Sequence, residues 1–154
     1  MPIDVGDRAP GFDLPADDGR NLSLAQLKGE SVALYFYPKD DTSGCTKEAE
    51  AFRDLKKKFG AAGVELVGVS KDTVASHKAF KSGYGLNFPL VSDTDGKLCG
   101  AYGVWVEKSM YGRKYFGIER STFLIDAKGI VRRAWRKVKV PGHAEDVLAA
   151  AKAL

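Results

Sequence analysis

Residues 31–59 constrain what this chain can fold into more than any other stretch, because they join an apolar run, a polar loop and an amphipathic segment. Residues 32–37 carry no charge and are rich in β-branched and aromatic side chains, which is typical of a strand buried on both faces of a mainly parallel sheet. Pro38 has no backbone N–H to offer a neighbouring strand, so the strand is expected to end there. In the loop that follows, the side-chain oxygen of Thr42 or Ser43 is expected to cap a helix.

Cys45 falls in the first turn of the helix predicted after this loop. Backbone N–H groups at a helix start have no helical partner, and the helix dipole places partial positive charge beside them. A sulfur in that position is favoured as a thiolate, the form that attacks electrophiles. Cys45 shares a helix face with Ala49 and Phe52, and Leu55 and Phe59 continue this face, so one helix is expected through Phe59 with the sulfur pointing toward the core. Glu48 is interpreted as a charge that complements the helix dipole.

The motif PxxxTxxC, formed by Pro38, Thr42 and Cys45, lies in the string YFYPKDDTSGCT. This string resembles the active-site segment of peroxiredoxins, and most closely that of the bacterioferritin-comigratory or peroxiredoxin Q group. Two later stretches agree with that group in order and spacing, NFPLVSDTDGKLCGAYGV at 87–104 and GIERSTFLIDAKG at 117–129. The resemblance therefore covers nearly the whole chain.

The resemblance implies roles for four side chains. Cys45 would attack a hydroperoxide and become a sulfenic acid. Thr42 would orient the substrate, and Pro38 would shield the sulfur from bulk water. Arg120, which directly precedes a predicted strand, would stabilise the thiolate and the developing negative charge. This chemistry requires no metal, haem or flavin.

The chain departs from the group where its members commonly carry a second, resolving cysteine, five residues after the reactive one or in the following helix. Those positions hold Glu50 and Lys81. The other cysteine, Cys99, is predicted to be a buried inert thiol in a later helix. The sequence therefore predicts a one-cysteine peroxidase for hydrogen peroxide and organic hydroperoxides. An external thiol such as thioredoxin, glutaredoxin or glutathione would restore Cys45 through a mixed disulfide.

Two other functions stay open from the sequence. A peroxide sensor or redox relay would pass oxidation from Cys45 to a protein partner. A basic segment at 128–139 is compatible with a nucleic-acid footprint, although such charges more often form the solvated side of an edge strand. We therefore expect no nucleic-acid partner.

The remaining pattern predicts one α/β domain over residues 1–154 with a thioredoxin-like fold, a central mixed sheet flanked by helices and an N-terminal β-hairpin. Beyond the Cys45 helix, the expected elements are a strand at 64–70, a helix from Asp72 or Thr73 to about 82, an extended piece at 88–91, a helix at 96–102, a loop at 103–117, strands at 121–126 and 130–138, and a helix at 143–154. The aromatic side chains of the 103–117 loop are expected to cover the core rather than to form a rim for organic peroxides.

Composition and cysteine usage exclude several classes of protein. No apolar run is long enough for a membrane span or a signal peptide. Two widely separated cysteines form neither a disulfide framework nor a CxxC pair, so the reducing cytoplasm is the expected compartment. No cysteine or histidine stands at ligand spacing from His77 or His143, which argues against a zinc site, and the Asp93-x-Asp95-Gly96 pattern lacks the rest of a calcium loop. The family resemblance suggests a monomer.

Overall fold

A five-stranded mixed sheet forms the centre of the computed structural model, which describes residues 3–154. Met1 and Pro2, which the predicted single domain includes, lie outside the described residues. The strands in chain order are β1 (Asp13–Pro15), β2 (Asn21–Ser23), β3 (Ser31–Phe36), β4 (Val64–Ser70), β5 (Leu90–Ser92), β6 (Trp105–Met110), β7 (Arg113–Ile118), β8 (Ser121–Ile125) and β9 (Val131–Trp135). The helices are α1 (Ser43–Asp54), α2 (Lys56–Ala61), α3 (Val74–Tyr84), α4 (Lys97–Ala101) and α5 (His143–Lys152), with a 3-10 turn at Ala25–Leu27.

The central sheet has the strand order β5-β4-β3-β8-β9. β3 pairs parallel with β4 and antiparallel with β8, and β4 pairs parallel with β5. β1 and β2 form a separate antiparallel pair at the N-terminal end. This arrangement confirms the predicted thioredoxin-like fold, in which β3 is the central strand because it is uncharged and buried on both faces.

Alternate residues of β3 face two separate cores. Tyr35 packs on the α1 and α5 side of the sheet, in the cluster that contains Cys45. Leu34 packs on the other side, in the cluster that contains Cys99. The two cysteines therefore lie on opposite faces of the sheet.

Three features of the fold differ from the sequence prediction. Residues 105–118 form the hairpin β6–β7 instead of a loop. The long helix predicted through Phe59 breaks at Leu55, which has φ −101° and ψ 3° and separates α1 from α2. Within the basic segment, Arg136 is partly buried and donates to the carbonyls of Ile3 and Tyr102, so it does not belong to the solvated side of the edge strand.

Within residues 3–154, no helix combines the length and the apolar character needed to cross a bilayer.

Candidate active site

Cys45 occupies the third residue of α1, directly after the loop that leaves the carboxyl end of β3. Its side chain packs against the α1 and α5 core, and the residue is 1% exposed. The prediction that Cys45 lies in the first helical turn and faces the core with Ala49 and Phe52 is confirmed. The local reason is the spacing of the three residues, which places them on one face of the helix.

Arg120 is the cation nearest to the sulfur. It directly precedes β8, whose first residue Ser121 pairs with Phe36 at the end of β3, so the register delivers Arg120 beside the loop before α1. Its Nη2 donates to Cys45 Sγ at 3.4 Å and its Nη1 donates to Glu48 Oε1 at 2.6 Å. A hydrogen-bonded guanidinium favours the thiolate over the thiol.

Glu48 is a member of this site that the sequence analysis missed. We interpreted it as a dipole-complementing charge, but it is 1% exposed and pairs with Arg120. Burial raises the pKa of Glu48 to about 7, although the charge and hydrogen bond of Arg120 oppose the shift. The available signal was its position three residues after Cys45, which places both side chains on adjacent parts of one helix face.

Two buried polar atoms near the ion pair have no hydrogen-bond partner within residues 3–154. They are Glu48 Oε2 and the hydroxyl oxygen of Tyr35. The pKa of Tyr35 is raised well above its ordinary value, first by burial and then by the charges of Glu48 and Cys45. The electrostatic environment of the sulfur therefore includes one cation, one buried carboxyl and one neutral phenol.

Gly44 makes room for the guanidinium. A Cβ atom built at this position would lie 3.2 Å from Arg120 Nη2, which is closer than ordinary van der Waals contact. The backbone of Gly44 has no left-handed φ, so the requirement is for space rather than for conformational freedom. Sequence reasoning did not identify this position.

Thr42 stands at the N-cap position of α1, but its side chain does not cap the helix. Its Oγ1 donates to the Lys39 carbonyl at 2.9 Å. The capping predicted for Thr42 or Ser43 is therefore wrong: Ser43 is already the first helical residue, and the Thr42 hydroxyl turns back into the loop. Because the Thr42 O–H donates to Lys39, the lone pairs of the Thr42 oxygen are left to accept a hydrogen bond from another molecule.

Pro38 is exposed on the wall of a surface cleft of about 390 Å³. Cys45 does not line this cleft, whose other walls include Trp105, Lys108, Phe116 and Ile118. The expectation that the aromatic side chains of residues 103–117 cover the core is wrong: Trp105, Tyr111, Tyr115 and Phe116 are all exposed. The hairpin β6–β7 pairs only with itself and leaves both of its faces largely in solvent.

Lys108 brings a second cation to the edge of this cleft. Its Nζ donates to the Ile118 carbonyl at 2.5 Å. Partial burial, and then repulsion by the Arg120 charge, lower the pKa of Lys108. The cleft is therefore apolar on its aromatic side and positively charged at Lys71 and Lys108.

The positions that commonly hold a resolving cysteine are engaged in ion pairs. Glu50 Oε2 lies 3.6 Å from Arg53 Nη1, and Lys81 Nζ lies 2.9 Å from Asp17 Oδ2. Cys99 is free and fully buried on the opposite face of the sheet. Burial, followed by a hydrogen bond to Asp93, raises the pKa of Cys99 far above that of an ordinary thiol.

This chain is similar to known proteins over most of its length. The model of the AhpC/TSA family matches residues 5–134. A putative peroxiredoxin bcp from Coxiella burnetii is 55% identical over 148 residues, which cover 96% of this chain and 98% of the relative.

Two solved structures are also similar. The bacterioferritin comigratory protein of Xanthomonas campestris has a TM-score of 0.88 and 49% identity, with coverage of 92% of this chain and 90% of that chain. The PrxQ of Xylella fastidiosa has a TM-score of 0.94 and 41% identity, with coverage of 99% and 98%. The family model and these relatives together show that this chain belongs to the AhpC/TSA family and, within it, to the bacterioferritin-comigratory or peroxiredoxin Q group of thiol-dependent peroxidases.

Proposed function

We propose that this peroxidase reduces hydrogen peroxide and organic hydroperoxides with Cys45 as its peroxide-reactive residue, in a one-cysteine cycle. The observation that carries the proposal is the 3.4 Å contact between Arg120 Nη2 and Cys45 Sγ at the start of α1. It joins a hydrogen-bond donor, a positive charge and a helix N-terminus at one sulfur, and each of these favours the thiolate.

In the first step the thiolate of Cys45 attacks the terminal oxygen of the hydroperoxide. An S–O bond forms while the O–O bond breaks, and the leaving oxygen departs as water or an alcohol after it gains a proton. Arg120 stabilises the negative charge that moves from sulfur to the leaving oxygen. Thr42 accepts the hydrogen of the hydroperoxide O–H, since its own hydroxyl hydrogen is directed to Lys39. Pro38 shields the Cys45 sulfur from bulk water.

In the second step an external thiol attacks the sulfenic acid of Cys45. Water leaves, a mixed disulfide forms, and a second thiol releases Cys45 and carries away the oxidised reductant. Thioredoxin, glutaredoxin and glutathione are the candidate reductants. The Xanthomonas campestris relative has alkyl peroxide reduction activity, which supports organic hydroperoxides as substrates of this chain.

We further propose that the protein acts as a monomeric single domain in the cytoplasm, with no nucleic-acid partner. Two unpaired, buried cysteines support a reducing compartment. The relatives are named peroxiredoxins, which favours a peroxidase over a sensor or relay.

A steady-state assay that follows peroxide consumption with each of the three reductants tests the proposal. Wild-type protein is expected to turn over many times, whereas Cys45→Ser is expected to lose turnover and keep its circular dichroism spectrum, because a serine hydroxyl is far less acidic than a thiol. Residual turnover above about a few percent of wild type would contradict the role of Cys45.

A further inference from the structure

A second buried polar cluster lies under the loop that joins β3 to α1, and it is separate from the Arg120 and Glu48 pair. Its centre is the Asp40 carboxylate, whose side chain is 4% exposed. Asp40 Oδ1 accepts the Tyr37 hydroxyl at 2.5 Å. Asp40 Oδ2 lies 2.7 Å from His77 Nδ1 and accepts the Ser76 hydroxyl at 2.8 Å. One carboxylate is thus in hydrogen-bond contact with three side chains, two of which belong to α3.

The histidine anchors this carboxylate to the sheet. His77 is fully buried, and its Nε2 lies 3.0 Å from the Val91 carbonyl on β5. A carbonyl oxygen only accepts, so Nε2 carries a hydrogen and is not available as a metal ligand. The hydrogen bonds of His77 therefore join Asp40, which belongs to the loop, to a strand at the edge of the central sheet.

Two further hydrogen bonds, at Asp40 and Asp41, hold the same loop. The backbone N–H of Asp40 donates to Asp72 Oδ2 at 2.8 Å, and this oxygen also accepts the Ser70 hydroxyl at 2.6 Å. Asp41 has a left-handed φ of 58°, which is uncommon for a non-glycine residue, and its carboxylate accepts the Tyr84 hydroxyl at the end of α3. The side chains of Asp40 and Asp41 therefore each form hydrogen bonds with residues between 70 and 84.

We propose that the Asp40–His77 pair is a positioning device for the peroxide-binding loop, and that it sets where Thr42 presents its hydroxyl to the substrate. Thr42 follows Asp40 by two residues, and its hydroxyl donates to Lys39, the residue directly before Asp40. A shift of Asp40 therefore moves both Thr42 and the carbonyl that orients it. Arg120 reaches Cys45 from β8 and does not depend on this loop. The inference rests on the proposed function, in which Thr42 binds the hydroperoxide.

The variant Asp40→Asn tests this inference because it keeps the size of the side chain but replaces one acceptor oxygen with an amide donor. At least one of the three buried partners then loses its acceptor, and the loop loses its fixed geometry. Asp93→Asn is the matched control. Asp93 is a fully buried carboxylate that accepts the backbone N–H groups of Leu98 and Cys99 and has no contact with the loop.

Two rates are measured on each reduced protein: sulfenic acid formation with hydrogen peroxide, and alkylation of Cys45 by iodoacetamide at neutral pH. Asp40→Asn is expected to slow the peroxide reaction about 10- to 100-fold, as a misplaced substrate-orienting group does, and to change alkylation less than about threefold. Asp93→Asn is expected to change neither rate by more than about threefold. Alkylation needs the thiolate but not Thr42, so the pair of rates separates positioning from a general loss of structure.

The proposal is overturned if Asp40→Asn keeps its peroxide rate within about threefold of wild type, or if both rates fall in proportion. If Asp40→Asn does not fold, His77→Gln removes the Nδ1 contact to Asp40 and leaves the carboxylate in place, because the longer amide can still donate to the Val91 carbonyl. It is then expected to slow only the peroxide reaction, and an unchanged peroxide rate would overturn the proposal. Because wild type and Cys45→Ser test the peroxidase itself, failure of the proposed function is distinguishable from failure of this inference.

Discussion

The buried carboxyl of Glu48 and the partly buried guanidinium of Arg120 form an ion pair in which Oε1 and Nη1 are 2.6 Å apart. The two residues are 72 positions apart in the sequence. The pair holds the guanidinium against the Cys45 sulfur, and it also places a carboxyl of unusual pKa in the same environment.

The first prediction concerns stability as a function of pH. The pKa of Glu48 is about 7 in the folded protein and near 4.5 in the unfolded chain. Between these values the folded state retains a proton that the unfolded state releases, so the contribution of Glu48 to the free energy of unfolding falls as pH rises through this window. Relative to Glu48→Gln, the free energy of unfolding of the wild-type protein should fall by about 2 kcal/mol between about pH 5.5 and about pH 8. Urea unfolding at both pH values checks this, and a constant difference between the two proteins would contradict it.

The second prediction concerns the charge on Arg120. Arg120→Met should slow sulfenic acid formation roughly 10²–10³-fold, by analogy with the loss of one preorganised oxyanion donor. Arg136→Met is the control for general damage, because Arg136 is also partly buried and donates to backbone carbonyls away from Cys45. Stopped-flow measurement with hydrogen peroxide gives the rates. If the two variants react equally fast, Arg120 has no electrostatic role.

The third prediction concerns the space at Gly44. A methyl group at this position lies 3.2 Å from Arg120 Nη2, so Gly44→Ala should displace the guanidinium and slow the peroxide reaction by about threefold to tenfold. Gly100→Ala in α4 is the matched control, since a Cβ atom there meets nothing within 4 Å. It should keep the wild-type rate and the wild-type midpoint of unfolding or a higher one. Equal rates for both variants would show that the guanidinium adapts without cost.

The fourth prediction concerns the absence of an internal disulfide step. Because Cys45 and Cys99 lie on opposite faces of the sheet, their thiols do not meet without extensive unfolding. Peroxide-treated protein without reductant should accumulate the Cys45 sulfenic acid and then its over-oxidised forms. Mass spectrometry after one equivalent of peroxide checks this, and Cys99→Ser should cycle normally with the reductant. A dominant Cys45–Cys99 linkage would instead indicate a two-cysteine enzyme.

The amino-acid sequence alone predicted the central strand, the helix that carries Cys45, the N-terminal hairpin and the family. These features depend on local patterns: an uncharged β-branched run, a three-to-four-residue apolar spacing, and a motif contained in a dozen neighbouring residues. The position of Cys45 in the first turn of α1 follows from the same local information. The role of Arg120 was predicted from the family resemblance, because the residues next to it in the sequence carry no signal for that role.

The three-dimensional packing sets which polar side chains are buried and which partners they have. In the sequence, Glu48 cannot be distinguished from an exposed glutamate of a helix. Its burial depends on Arg120, which directly precedes β8 and donates to the Glu48 carboxylate. Asp40 and His77 are 37 residues apart, and their contact depends on how α3 packs under the loop. Likewise, residues 105–118 form a hairpin because two weakly patterned segments pair with each other. The free energy of such contacts comes from groups that are distant in the chain, so no local pattern predicts them.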